Sequence, residues 1–198
     1  MTRRAAGFFI ALALATLLPG LREVFEGAMA LHMLLQLPAL LAAGWLMAGR
    51  WHRAAAVQAL GRAIAAIDAG GLFGATAASA VIALWMIPAW LDRSLLDPST
   101  AVLKYASWLL AGVLLRAGAG RMHPTVAAFF LGNGAWMAAT VGLLYQDEAT
   151  RLCVSYLQDD QVWTGGGLVV AAVAMGALAL RLVLRPPGPA PTRVARGA

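Results

Sequence analysis

The chain has 198 residues, 61% of them hydrophobic and 12% charged, with a formal net charge of +6. Soluble domains carry charge on about a quarter of their residues, so this composition excludes an ordinary soluble fold. The apolar residues gather into long runs and lack the alternation of a membrane barrel. A bilayer interior cannot satisfy an open strand edge, so the predicted fold class is all-α, a polytopic transmembrane helix bundle.

The positive charge would suggest nucleic acid in a soluble protein. Here the arginines lie mostly in the connections between apolar runs and at the chain ends, so they report orientation, and the expected partners are the lipid bilayer and other membrane proteins. One cysteine, Cys153, excludes an internal disulfide framework, and no paired Cys/His spacing for zinc occurs.

Arg3 and Arg4 precede an apolar run at residues 5–18 that ends at Pro19-Gly20. No small-x-small cleavage site follows closely, so the run reads as an uncleaved first span, followed by an acidic connection at residues 21–27. The second span is predicted at residues 28–48. Within it Met29, His32, Met33 and Gln36 follow the i, i+3, i+4, i+7 spacing, which puts two thioethers, an imidazole and an amide on one stripe. Pro38 falls on the opposite face and should bend the helix.

Residues 51–68 place Val57, Leu60, Ile64 and Ile67 on one side and Gln58 and Arg62 on the other. This suggests an amphipathic helix on the membrane surface, the alternative being an extension of the third span. Gly70-Gly71 opens that span at residues 70–90. Asp97-Pro98-Ser99-Thr100 reads as a turn and helix start before a fourth span at residues 101–115. The fifth span covers residues 124–145, with Asn133 between Gly132 and Gly134, where a neighbouring backbone could come close and Asn133 could bond across the contact.

Residues 146–163 form the longest polar connection and contain Cys153, Asp159 and Asp160. A sixth span follows at residues 165–184, with Thr164 as its expected cap and Gly165-Gly166-Gly167 inviting close approach of another backbone. Trp85, Trp90, Trp108 and Trp163 fit interfacial anchors. The domain organisation is one transmembrane domain at residues 1–185 and a disordered, basic, Pro-rich tail at 186–198.

With both ends placed in the cytoplasm, eleven basic residues and Asp68 fall inside, against four basic residues and eight acids outside. Met29, His32, Asp92, Cys153, Asp159 and Asp160 then lie at or near the outer face. Soft sulfur ligands, an imidazole and carboxylates are the mixture that copper accepts, and the predicted metal-ligating residues are His32, Met29, Met33, Asp92 and Cys153. Ordinary packing of methionines in an apolar helix is the alternative. No nucleophile triad, H-E-x-x-H, Walker loop or G-x-G-x-x-G occurs, so no enzyme is predicted.

His32-Met33 leading a leucine-rich helix, Trp85-x-x-Pro88 followed by Leu91-Asp92 and Leu95, and Asp160-Gln161 before Gly165-Gly166 occur in that order across residues 29–170. In this the chain resembles the membrane-integral CtaG-like cytochrome c oxidase assembly factors. The resemblance implies a bacterial inner-membrane factor that delivers copper to a haem-copper oxidase subunit on the outer side. It departs where the family tends to carry a second histidine, here Gln36, and a Glu-His pair, near which this chain has Lys104-Tyr105, and in having six spans where about seven are expected. Two other functions stay open: a structural or chaperone subunit of a respiratory membrane complex that touches no metal, and a small transporter. The transporter would need a water-filled path lined by Asn133 and His32 between spans two, three and five.

Overall fold

A computed structural model describes residues 3–50, 55–148, 150, 152 and 156–184. Cys153 and the expected tail at 186–198 lie outside the described residues. The described residues are predominantly helical, with no strand among them. Four helices are long and apolar enough to cross a membrane, or up to six if each of two sharply bent helix pairs counts as one span.

Prolines set most of the breaks. The first apolar run is helical only over α1 (Arg3–Ala15), and Pro19 then occupies the first turn of α2 (Pro19–Gly27), bent 78° from α1. The expected acidic connection at residues 21–27 is therefore a helix, because a proline that cannot continue one helix is well suited to begin the next. Pro88, Pro98 and Pro124 likewise open α6 (Pro88–Leu96), α7 (Pro98–Ala119) and α8 (Pro124–Asp147). The expected third span is thus divided. α5 (Leu72–Trp85) stops before Ile87, whose extended backbone is the conformation favoured ahead of a proline, and α6 starts anew.

Leu31–Gln36 is a π-helical turn running into α3 (Leu37–Arg50), so that the Leu37 amide bonds to the His32 carbonyl five residues back. Pro38 explains it. Its ring has no N–H to offer and would collide with the carbonyl four residues earlier, and a widened turn relieves both problems. The stripe and the proline segregate as expected: Met29, His32, Met33 and Gln36 are buried and Pro38 is exposed.

α4 (Ala55–Ile67) forms as predicted and meets α5 at 86°. The side chains of Val57, Leu60 and Ile64 lie outside the described residues. The corner is built by Gly70 and Gly71, both with positive φ (63° and 82°), which only glycine adopts without strain. Asp68 closes it, accepting the Phe73 amide at 2.8 Å and Arg121 Nη2 at 2.5 Å. Asp97 caps α7 as its spacing predicted, accepting the Thr100 amide at 2.9 Å.

Helices α3 and α7 meet backbone to backbone. A Cβ on Gly44 would overlap the Leu109 carbonyl, and one on Gly112 would overlap that of Leu41. α5 joins α7 through Gly74, and α8 joins α9 (Gln158–Val183) through Gly142 and Gly165, where a Cβ on Gly165 would lie 2.5 Å from the Gly142 carbonyl. Without a hydrophobic driving force between helices in lipid, such contact distances are what hold a bundle together. The principal core cluster includes Met29, Met33, Leu37, Trp85, Trp108 and Tyr156.

Three local expectations are corrected here. Trp85 and Trp108 are buried in that core and are not interfacial, whereas Trp90 and Trp163 are exposed. Trp85 is tolerated inside because its Nε1 donates to Ser107 Oγ at 2.9 Å. α9 begins seven residues before the expected span, so Thr164 lies within it and donates to the Asp160 carbonyl at 2.6 Å instead of capping it. Among the described residues Asn133 bonds to no other helix: its amide reaches only Met137 Sδ at 3.8 Å on the same helix, and the side chain is exposed.

Candidate functional site

The π turn aims His32 into the bundle, where it is fully buried. Opposite stands Lys104, one and a half turns into α7 and also fully buried. Lys104 Nζ lies 2.9 Å from His32 Nε2 and 2.9 Å from Glu26 Oε1, while Glu26 Oε1 and His32 Nε2 are 4.0 Å apart. The ammonium therefore sits between a carboxylate and an imidazole, the position that a bound cation would take. It needs no counterion from solution.

Glu26 is the hub. Besides Lys104 it accepts the Tyr105 hydroxyl and, at its other oxygen, Arg22 Nε at 2.7 Å. Arg22 and Glu26 are four residues apart on α2, the spacing that brings side chains together on one face. Two cations on one carboxylate leave the group with a surplus positive charge, and the Tyr105 ring, 4.8 Å from Lys104 Nζ and 5.8 Å from Arg22 Cζ, offsets part of it.

An ammonium can only donate, so His32 Nε2 accepts from it, and the ring proton is left on Nδ1 to be donated to Tyr156 Oη at 2.6 Å. Both ring nitrogens are thereby engaged by the protein itself. Tyr156 is held over His32 by the connection between α8 and α9, which the buried Gln161 fixes from below. Its Oε1 accepts the Leu152 amide at 2.9 Å and its Nε2 donates to the Tyr145 carbonyl at 3.2 Å. Gln36, on the π turn with His32, donates to the carbonyl of Thr16, just past the end of α1, at 3.1 Å. A groove of about 430 Å³ lined by Leu17, Arg22, Glu23, Glu26 and Leu95 opens beside the hub.

Of the predicted ligands, His32 lies at the centre of this group, while Met29 and Met33 are buried among the apolar side chains of the core. Asp92 is half-buried on α6, with no hydrogen bond or ion pair to His32, and Cys153 lies outside the described residues. Among the described residues no three His, Cys, Asp or Glu side chains are grouped to hold a metal ion. The donor set fits copper poorly as it stands, since a metal at His32 Nε2 must first displace Lys104.

Glu26, Lys104, Tyr105 and Tyr156 were not predicted as site residues. Lys104 carried the signal: a charge inside an apolar run is expensive and demands a partner, whereas counting it as an outer-face charge hid that demand. The chain matches no protein-family model, and no curated protein and no solved structure is significantly similar to it.

Proposed function

We propose that this chain is a multi-pass protein of a bacterial inner membrane that acts by binding another membrane protein, as an assembly or structural component of a respiratory complex, and not by catalysis. The observation that carries the reading is Lys104 seated between Glu26 and His32. His32, the one ionisable group of the second span's stripe, has both ring nitrogens engaged within the chain, which suits a scaffold better than an open binding site. Both termini lie in the cytoplasm in this reading, because the connections of one end collect the arginines. The Asp68–Arg121 pair supports a shared side for the second and fourth connections. Labelling of Cys153 by a membrane-impermeant maleimide in intact cells tests that orientation, and protection would reverse it.

The second reading is transient copper carriage during haem-copper oxidase assembly. It is favoured by the 4.0 Å gap between Glu26 and His32, which one cation already fills. Copper then enters only after Lys104 withdraws, and His32 with Met29 or Met33 would hold it, assisted by Asp92 or Cys153. One measurement separates the two: Cu(I) retained by the purified protein against a competing chelator. Scaffolding predicts none in the native chain, together with co-purification of an oxidase subunit in mild detergent. Equimolar Cu(I) that is lost in His32→Ala replaces scaffolding with carriage.

A further inference from the structure

A second cavity lies away from the ionic group. Between α3, α5 and α7 on one side and α8 and α9 on the other runs a cleft of about 420 Å³, lined by Trp45, Ala78, Ser79, Phe130, Asn133 and Met137 among others. It occupies the place a transporter path would need, between the second, third and fifth predicted spans, but its walls are mostly apolar and His32 is not among them.

The polar atoms in those walls identify the occupant. Asn133 stands nine residues after Pro124, roughly 13 Å along the helix and so near the middle of a hydrocarbon layer about 30 Å thick. At that depth an amide without a proper acceptor is costly, and Asn133 donates only to a thioether at 3.8 Å. Ser79, midway along α5, makes no side-chain hydrogen bond among the described residues. Two donors facing an apolar space at mid-depth call for a ligand with an apolar body that brings its own acceptors. The ester carbonyls of glycerolipids lie at the interface and not here.

We propose that this cleft binds a lipid-soluble carbonyl compound of the quinone type, its carbonyl oxygens accepting from the Asn133 amide and the Ser79 hydroxyl and its chain leaving into the surrounding hydrocarbon. The aromatic walls suit a flat ring, and the volume falls within the range of small-molecule sites. The site rests on the membrane reading above, and retention of the protein in carbonate-washed vesicles scores that reading separately.

The test uses the full chain in lipid nanodiscs and a short-tailed benzoquinone as probe, with tryptophan quenching as the readout. Saturable quenching is expected, most of it lost in Trp45→Phe. Asn133→Leu, at an exposed position that the fold does not use, should weaken binding about tenfold, the worth of one good hydrogen bond. Gly134→Leu should abolish it by filling the cleft: a Cβ at Gly134 meets only Met175 Sδ, at 3.6 Å, so the helix pair accommodates the change. Quenching that never saturates, or that is unaltered in Asn133→Leu, overturns the proposal. Equal competition by an alkane of the same length overturns it in favour of an unspecific lipid tail, and a polypeptide captured by a photo-cross-linker at Asn133 does so in favour of a partner helix.

Discussion

The two ends of the bundle each hold an acid paired with a base, and they solve the problem differently. At one end Glu26 and Lys104 are withdrawn from solvent together, their side chains 7% and 0% exposed. At the other, Asp68 is fully buried but its partner Arg121 is 38% exposed. Lys104 and Gly118, which touches Asp68, are fourteen residues apart on α7, roughly 21 Å of helix. The difference lies in what each pair can exchange for. Arg121 can reach water or a headgroup if Asp68 lets go, whereas Lys104 has only His32 and Glu26. The first pair is a lock between helices, and the second is a latch on a corner.

Breaking the lock from one side should have the largest effect. Glu26→Ala leaves Lys104 and Arg22 facing each other with no carboxylate between them, and loss of one partner of a buried pair costs about 3–5 kcal/mol. Reversible unfolding in mixed micelles would read it directly, and a loss under about 1 kcal/mol would mean that Lys104 relaxes to water and that the end is less closed than its burial indicates. The converse sharpens the point. Because the desolvation of two ions nearly cancels their attraction, Glu26→Leu combined with Lys104→Met should recover most of the stability lost in Glu26→Ala. A double variant as unstable as the single one would show that His32 depends on Lys104 for its place.

The latch should give less. Asp68→Ala removes the acceptor of the Phe73 amide and releases Arg121, and because Arg121 is already partly solvated the expected loss is about 1–3 kcal/mol, mostly from the orphaned amide. Asp68→Asn, which keeps an oxygen for that amide, should retain more than half of it. If the two variants are equally destabilised, the ion pair and not the amide holds the corner.

The helices are legible in the sequence because apolar runs of this length admit little else, and Pro98 and Pro124 mark the starts of α7 and α8, whereas Pro88, which opens α6, falls inside the expected third span. What misled was reading Pro19 as the end of a span when it also begins a helix, and reading the acids before Gly165 as a connection when α9 already includes them. The stripe around His32 was legible too, since its spacing is local. Its partners were not. Glu26 and Lys104 are 78 residues apart and Tyr156 is 124 from His32, separations that leave no periodic trace in the chain. Trp85 and Trp108 show the same limit: indoles at span ends look alike whether they meet headgroups or, as here, a neighbouring helix.

Asp97 separates position from burial, because it belongs to the same end as the lock yet works at the surface. The Thr100 hydroxyl first, and then the Thr100 amide, hold its carboxyl below the usual carboxylate range. A carboxyl depressed in the folded state stabilises above its unfolded pKa, and that contribution disappears as the pH falls through the lower, folded value. The thermal midpoint of the native chain should therefore fall between about pH 5 and about pH 3 by more than that of Asp97→Asn, with the smallest amplitude of the effects set out here, since the group is solvated throughout. Equal pH dependence in both proteins would show that the Thr100 contacts, though they satisfy the Asp97 carboxylate, add nothing measurable to the stability of the bundle.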